Sequence, residues 1–207
     1  MNANAGLRWL NRPDPNLDEV RAVLQRIVGE GHRTNEVIAS IREMFGKNPR
    51  EKAPVNVNAL IGDVLALMQA ELESHQVALH TGMLDGLPDV MAERVQLQQV
   101  LLNLIMNGVD AMSSVTGRER RLTIKSEIQD MQEVRIAVED SGTGIDPSHM
   151  DRIFDPFFTT KPHGMGMGLS ICRSIIESHG GRLWAVPHDP HGTTFYVELP
   201  VRAASGV

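Results

Sequence analysis

Four short stretches place polar or glycine residues where chemistry could occur. Asn103 and Asn107 (NLIMN) stand four apart inside the apolar run Leu97–Met112, so both amides share one helical face. Among Leu101, Leu102, Leu104, Ile105 and Met106 they need polar partners, either nearby backbone or a bound group. Asp140 begins Asp140-Ser-Gly142-Thr-Gly144 directly after the run VRIAVE. A carboxylate at a strand end can accept a hydrogen bond from an exocyclic amine, and glycines let a ligand approach the backbone. The same residues would also suit a plain tight turn. Next, Ile153–Lys161 (IFDPFFTTK) holds three of the five phenylalanines, either core aromatics or the anchors of a mobile flap. Last, Gly164-Met-Gly166-Met-Gly168 precedes the amphipathic run LSICRSIIESHGG. Glycines before a helix expose N–H groups at the positive end of its dipole, which attracts anions. No Gly-Lys-Ser/Thr follows, so this is no Walker loop, and no strand immediately precedes it, so it is no Rossmann turn.

These stretches need a scaffold, and the hydrophobic pattern supplies one. Helices are predicted near 57–74, 92–113 and 167–179, with strands near 77–83, 122–128, 133–139, 181–187 and 193–199. Leu122 and Ile124 alternate with Thr123 and Lys125, and Val134, Ile136 and Val138 alternate with Arg135 and Ala137. That pattern suits an antiparallel sheet with one face covered by helices, and 122–128 with 133–139 reads as a hairpin. The fold class is α+β, a two-layer α/β sandwich.

A different region comes first. Leu17, Val20, Leu24, Ile27, Gly31, Thr34, Ile38, Ile41 and Phe45 are spaced alternately three and four apart, the seam of a helix bundle. Asn16 with Glu19 makes a capping pair, and Gly46 with Pro49 a stop. Residues 5–10 read as the tail of an earlier helix, ended by Pro13 and Pro15, so the region is a helical hairpin. A single hairpin cannot hide so long a seam; a second chain would complete a four-helix bundle, or the seam packs on the rest of this chain. Residues 46–55, with two prolines, read as a linker.

Composition narrows the function classes. A net charge of -6 gives no support for nucleic-acid binding. No stretch has the apolar length to cross a bilayer, and the start lacks a signal-peptide pattern. One cysteine, Cys172, forms no internal disulfide, which fits a reducing cytoplasm.

The four stretches together, in this order and over roughly residues 90–200, resemble the ATP-binding domain shared by sensor histidine kinases, type II topoisomerases, heat-shock chaperone ATPases and mismatch-repair ATPases. Within that superfamily NLIMNGVDAM, FDPFFTTK and GMGMGLSICRSIIESHGG resemble a two-component sensor histidine kinase. The hairpin resembles the later part of its dimerisation and phosphotransfer domain. The resemblance implies a Bergerat-type sandwich over 56–203 after a partial hairpin over 1–48, ATP and magnesium as cofactors, a response-regulator receiver domain as partner, and a homodimer through the N-terminal helices. It implies that Asn107 ligates magnesium and Asn103 supports the phosphate end of the site. Asp140 would read the adenine amino group, with Gly142, Gly144 and Ile145 shaping that pocket. Gly164, Gly166 and Gly168 would line the triphosphate and hinge a lid, beside Phe158 and Leu169. Lys161 and His163 lie in that lid, where Lys161 either reaches a phosphate or is solvated.

Three departures matter. ATPase relatives carry a glutamate where this chain has Asn103, and an amide cannot take a proton from water at neutral pH. Transfer to another nucleophile then suits the site better than hydrolysis, the alternative reading being an ATP-hydrolysing conformational machine. Gly108 replaces an alanine, which loosens the helix, and Asp110 replaces a basic residue, which removes one phosphate contact. None of the eight histidines stands in the acceptor context of such kinases. His32, the only one in the hairpin, is followed by Arg33-Thr34-Asn35 and reads as a surface or bundle residue, with the acceptor role as the lesser alternative. The acceptor is therefore expected outside this fragment.

Overall fold

The computed structural model describes Leu17, Glu19, Val20, Val23 and Leu24, and residues 51–129, 132–161, 164–188 and 190–201. The remainder of the predicted hairpin, including His32, and the lid residue His163 lie outside the described residues. The chain divides into two compact units, Met1–Pro49 and Arg50–Val207. In the first, the five described residues are helical, as predicted. Val20 and Val23 are buried, while Leu17 and Leu24 are 67% and 56% exposed. The predicted seam therefore splits: Val20 is covered within one chain, and its neighbours one turn either side are not.

The second unit contains β1 (Ala53–Val55), α1 (Val57–Ser74), β2 (Val77–Met83), β3 (Val90–Ala92), α2 (Arg94–Met112), β4 (Arg120–Gln129), β5 (Glu133–Asp140), α3 (Gly168–Ser178), β6 (Arg182–Pro187) and β7 (Thr193–Pro200). Asn56 caps α1 by accepting from the Ala59 N–H at 2.9 Å. Five strands form one sheet in the order β2-β4-β5-β7-β6. Leu122, Ile124, Val134, Ile136, Val138, Phe195, Val197 and Leu199 point from it into a single core, against Leu60, Ile61 and Val64 of α1, Leu101, Leu104 and Ile105 of α2, and Ile175 and Ile176 of α3. The opposite face carries polar residues. There Trp184 stacks on Tyr196 with ring centroids 5.2 Å apart, and Glu198 accepts from Arg182 at 2.6 Å. This is the predicted two-layer sandwich.

Two expectations are corrected. The sheet is mixed: β2 runs parallel to β4, with Val77 opposite Arg120. β2 is mostly exposed and lacks clean alternation, and the chain between it and β4 makes a full crossover through β3 and α2. Residues 53–55, expected within a linker, form β1, which pairs antiparallel with β3. Val55 and Val90 are buried there, so burial of one valine on each side outweighs the strand-breaking tendency of Pro54. Among the described residues no helix is long and apolar enough to cross a membrane.

Candidate functional site

The site is built on the exposed side of α2. Asn103, Asn107 and Asp110 follow helical spacing, and the first two are half-buried. Asn107 Nδ2 donates to Asn103 Oδ1 at 2.9 Å. That bond fixes the Asn107 amide with its oxygen outward, and Lys161 Nζ donates to this Oδ1 at 2.8 Å. The same ammonium pairs with Asp110 Oδ2 at 2.6 Å. Lys161, although half-exposed, is thus held by partners 51 and 54 residues away in sequence. An amide oxygen oriented by a neighbour and already taking a cation is a fitting donor for a hard cation such as magnesium.

Asp140 ends β5 and sits beside α2. The residue is 5% exposed, and its Oδ1 accepts from the Gly142 N–H at 2.7 Å. Burial pushes its pKa up to about 6, partly opposed by the backbone N–H groups of Gly142 and Thr193. The loop after it is tied down on several sides. Thr143 N–H donates to Ala111 O at 3.1 Å, Ser141 N–H donates to Arg121 O at 3.0 Å, and Arg118 donates to the carbonyls of Ser141 and Gly142. Gly108, expected only to loosen α2, packs on this region: a Cβ there would lie 3.1 Å from Leu122 Cδ1 and 3.2 Å from Asp140 Cβ. Arg118 and the backbone around Thr193 escaped the sequence reading. A lone arginine in a polar turn and a threonine in a strand carry no local signal.

The remaining residues assemble at the start of α3. Gly168 opens that helix against Asn103, where an added Cβ would lie 2.6 Å from Asn103 Nδ2. The first N–H groups of α3 have no intrahelical partner and point from the positive end of the dipole. Gly166 lies against the backbone of Phe157 and Phe158, and the Gly164 N–H closes a turn onto Lys161 O at 3.2 Å. Ile145, Phe158 and Leu169 are half-buried and pack on the core. Phe158 is also gripped from outside, its ring 5.3 Å from His149 and 4.6 Å below the Arg152 guanidinium. Phe157, by contrast, is 73% exposed. Gly142 and Gly144 stay on the Asp140 loop, so the predicted residues form a polar, cation-holding end on α2 and α3, and a carboxylate end on β5.

Gly168→Ala tests the α2–α3 contact. The new methyl forces the Asn103 amide to rotate, which breaks its bond to Asn107. Alanine favours the helix by up to about 1 kcal/mol over glycine, so stability changes little. The expected result is about tenfold weaker binding of an ATP analogue with a melting temperature near that of the parent, a loss of about 1.4 kcal/mol. Unchanged affinity would mean that Asn103 moves without consequence.

A buried carboxylate, paired amides and glycine-bounded helix start on a mixed sheet define a nucleotide-binding sandwich, and comparison with known proteins agrees. The chain belongs to the histidine kinase-, DNA gyrase B- and HSP90-like ATPase family, whose model matches residues 92–203. It is similar to sensor histidine kinase TmoS of Ectopseudomonas mendocina, 36% identical over 97% of this chain and 21% of that protein. It is similar as well to sensor protein FixL of Bradyrhizobium diazoefficiens, 38% identical over 90% of this chain and 37% of that protein. The chain thus spans well under half the length of these relatives. Among solved structures, the catalytic domain of histidine kinase ThkA superposes with a TM-score of 0.64 at 34% identity, covering 73% of this chain and 99% of that one. ThkA in complex with response regulator protein TrrA gives 0.71 at 28% identity, covering 97% of this chain and 57% of that one.

Proposed function

We propose that this chain is the core of a sensor histidine kinase, binding Mg-ATP and donating the γ-phosphate to a histidine for relay to a response-regulator aspartate. The observation that carries this reading is the Asn103–Asn107 pair. Asn103 orients the cation-holding oxygen of Asn107, yet as an amide it cannot deprotonate water. A site that binds and positions the triphosphate without activating water suits transfer to a better nucleophile. Asp140 accepts from the adenine amino group, with Gly142, Gly144 and Ile145 around the base. The N–H groups opening α3 at Gly168 and Leu169 face the triphosphate, and Gly164, Gly166 and Phe158 carry the lid bearing Lys161. Asn107 is the residue that would hold magnesium, and the ion when bound neutralises phosphate charge.

The relatives support the partners. ThkA has been captured with a response regulator, which makes a receiver domain the expected partner here. Leu17 and Leu24, exposed and one heptad apart, suit burial against a second copy of the chain, so we place the homodimer at the N-terminal helices. The domain bounds 1–48 and 56–203 follow the change from bundle seam to sandwich, with β1 extending the second domain back to residue 53. The lone Cys172 supports a cytoplasmic setting.

None of the eight histidines has the acceptor context, which supports an acceptor supplied from outside these 207 residues. Incubation with γ-labelled ATP is then expected to give nucleotide binding without an acid-labile, base-stable label on this chain. A strong label of that kind that vanishes in His32→Ala would overturn the acceptor assignment. Steady ATP turnover without any acceptor would instead favour a conformational ATPase.

A further inference from the structure

We propose that Asp110 is a second oxygen donor of the magnesium position and that Lys161 is the resident cation which magnesium displaces; this rests on the Mg-ATP reading above. The starting observation is convergence. Asn107 Oδ1 and Asp110 Oδ2 lie 2.8 Å and 2.6 Å from one and the same Lys161 Nζ. Two oxygens from positions i and i+3 of α2 therefore already meet at a single cation point.

Asp110 is poorly placed for any purely helical purpose. It lies in the last turn of α2, where the negative end of the dipole disfavours a carboxylate. Its pairing with Lys161 is half-exposed on both sides, and such pairs add little to stability. What the carboxylate does supply is charge at the cation point. Asn107 offers only a neutral amide, whereas magnesium sites generally use one or two carboxylates beside the substrate's phosphates. A divalent ion at Asn107 Oδ1 would repel the ammonium strongly at this distance, so the two cations exclude each other. Asp110 then gains a doubly charged partner in place of a singly charged one. Lys161, released, faces the incoming polyphosphate. Every charge keeps a partner through the exchange, and the weak surface pairing makes the exchange easy. The substitution of an acidic for a basic residue at position 110 thus moves the phosphate-facing cation from α2 to the lid.

Manganese, visible by electron paramagnetic resonance, serves as the probe, with the full chain and a saturating non-hydrolysable ATP analogue. Asp110→Asn is expected to raise the Mn2+ dissociation constant of the ternary complex at least tenfold, while metal-free analogue binds as well as or better than before. Asp110→Glu, which keeps the carboxylate, recovers part of the Mn2+ affinity. Lys161→Met lowers the Mn2+ dissociation constant several-fold, because the competing ammonium is gone. A Mn2+ constant in Asp110→Asn within twofold of the parent overturns the proposal. Equal weakening of metal-free and metal-bound analogue also overturns it, since Asp110 would then act only on the lysine or the fold. If the parent chain binds no analogue with or without metal, the nucleotide reading itself fails, a result distinct from both.

Discussion

Asp140→Asn is expected to weaken ATP binding on the order of 100-fold, about 2.7 kcal/mol, while removing a pH-dependent instability from the nucleotide-free protein. The binding loss follows from hydrogen-bond direction. Asp140 Oδ1 is committed to the Gly142 N–H at 2.7 Å. An asparagine that keeps that bond must turn its NH2 group towards the base, where an exocyclic amine also donates, and a donor facing a donor leaves both unsatisfied. Calorimetric titration with an ATP analogue reads the effect, and affinity within threefold of the parent would remove Asp140 from base recognition.

The stability effect has a defined sign. Burial raises the Asp140 pKa from 3.8 to about 6, so the folded state favours the neutral acid. Below about pH 4 the group is protonated in both folded and unfolded chains, and the carboxyl costs nothing extra. As pH climbs to about 6 the unfolded chain ionises first, and stability is lost at up to about 1.4 kcal/mol per pH unit. Above that the penalty is complete, at about 3 kcal/mol. The asparagine variant does not titrate, so its stability relative to the parent should rise between pH 4 and 6 and then level off. Loss of one N–H contact in the variant adds an offset that does not depend on pH, so the slope isolates the carboxylate. Denaturant unfolding at several pH values gives that slope; a flat difference would show that burial of the charge is offset in the native state.

The sequence made the large elements legible because their signals are local. α1 spans the same residues as predicted, and Asp140 falls at the end of β5 because VRIAVE alternates cleanly. The site's halves were legible for the same reason: Asn103 and Asn107 are a helical turn apart, and each glycine run is contiguous. What escaped depends on contacts distant in sequence. β1 and β3 hold only three residues each, too short for a period to show, and their pairing brings Ala53 to Ala92. The parallel placement of β2 is a property of the crossover, which alternation does not encode. The pairing of Lys161 with Asp110 escaped as well, because nothing local tells a lysine that its partner stands 51 residues earlier. The burial that raises the Asp140 pKa is equally invisible, since α2 and β7 supply it from outside its own loop.

Gly192→Ala carries the second large expected effect, and it acts on the same carboxylate from behind. Gly192 has φ +102, outside the range side chains readily adopt, and an added Cβ would lie 2.2 Å from Asp140 O. Both obstacles are backbone, so no rotamer change relieves them. The position is pinned on its other sides too: His188 N–H donates to Gly192 O at 3.0 Å, and the next residue, Thr193, pairs with Asp140 across the sheet. The strained φ alone costs about 1–2 kcal/mol. The clash must in addition push β7 or the end of β5 aside, and overpacking of that kind adds about 1–3 kcal/mol. A total near 3 kcal/mol or more is expected, with nucleotide affinity falling further because Asp140 moves with its peptide. Gly86→Ala separates the two costs. It shares the positive φ, at +73, but has nothing within 4 Å of its added Cβ, so only the backbone strain should appear. Thermal melts of the two variants, with analogue binding measured below the lower melting temperature, give both readouts. If Gly192→Ala melts no lower than Gly86→Ala, the β7 turn yields without strain and Gly192 does not fix the position of the carboxylate.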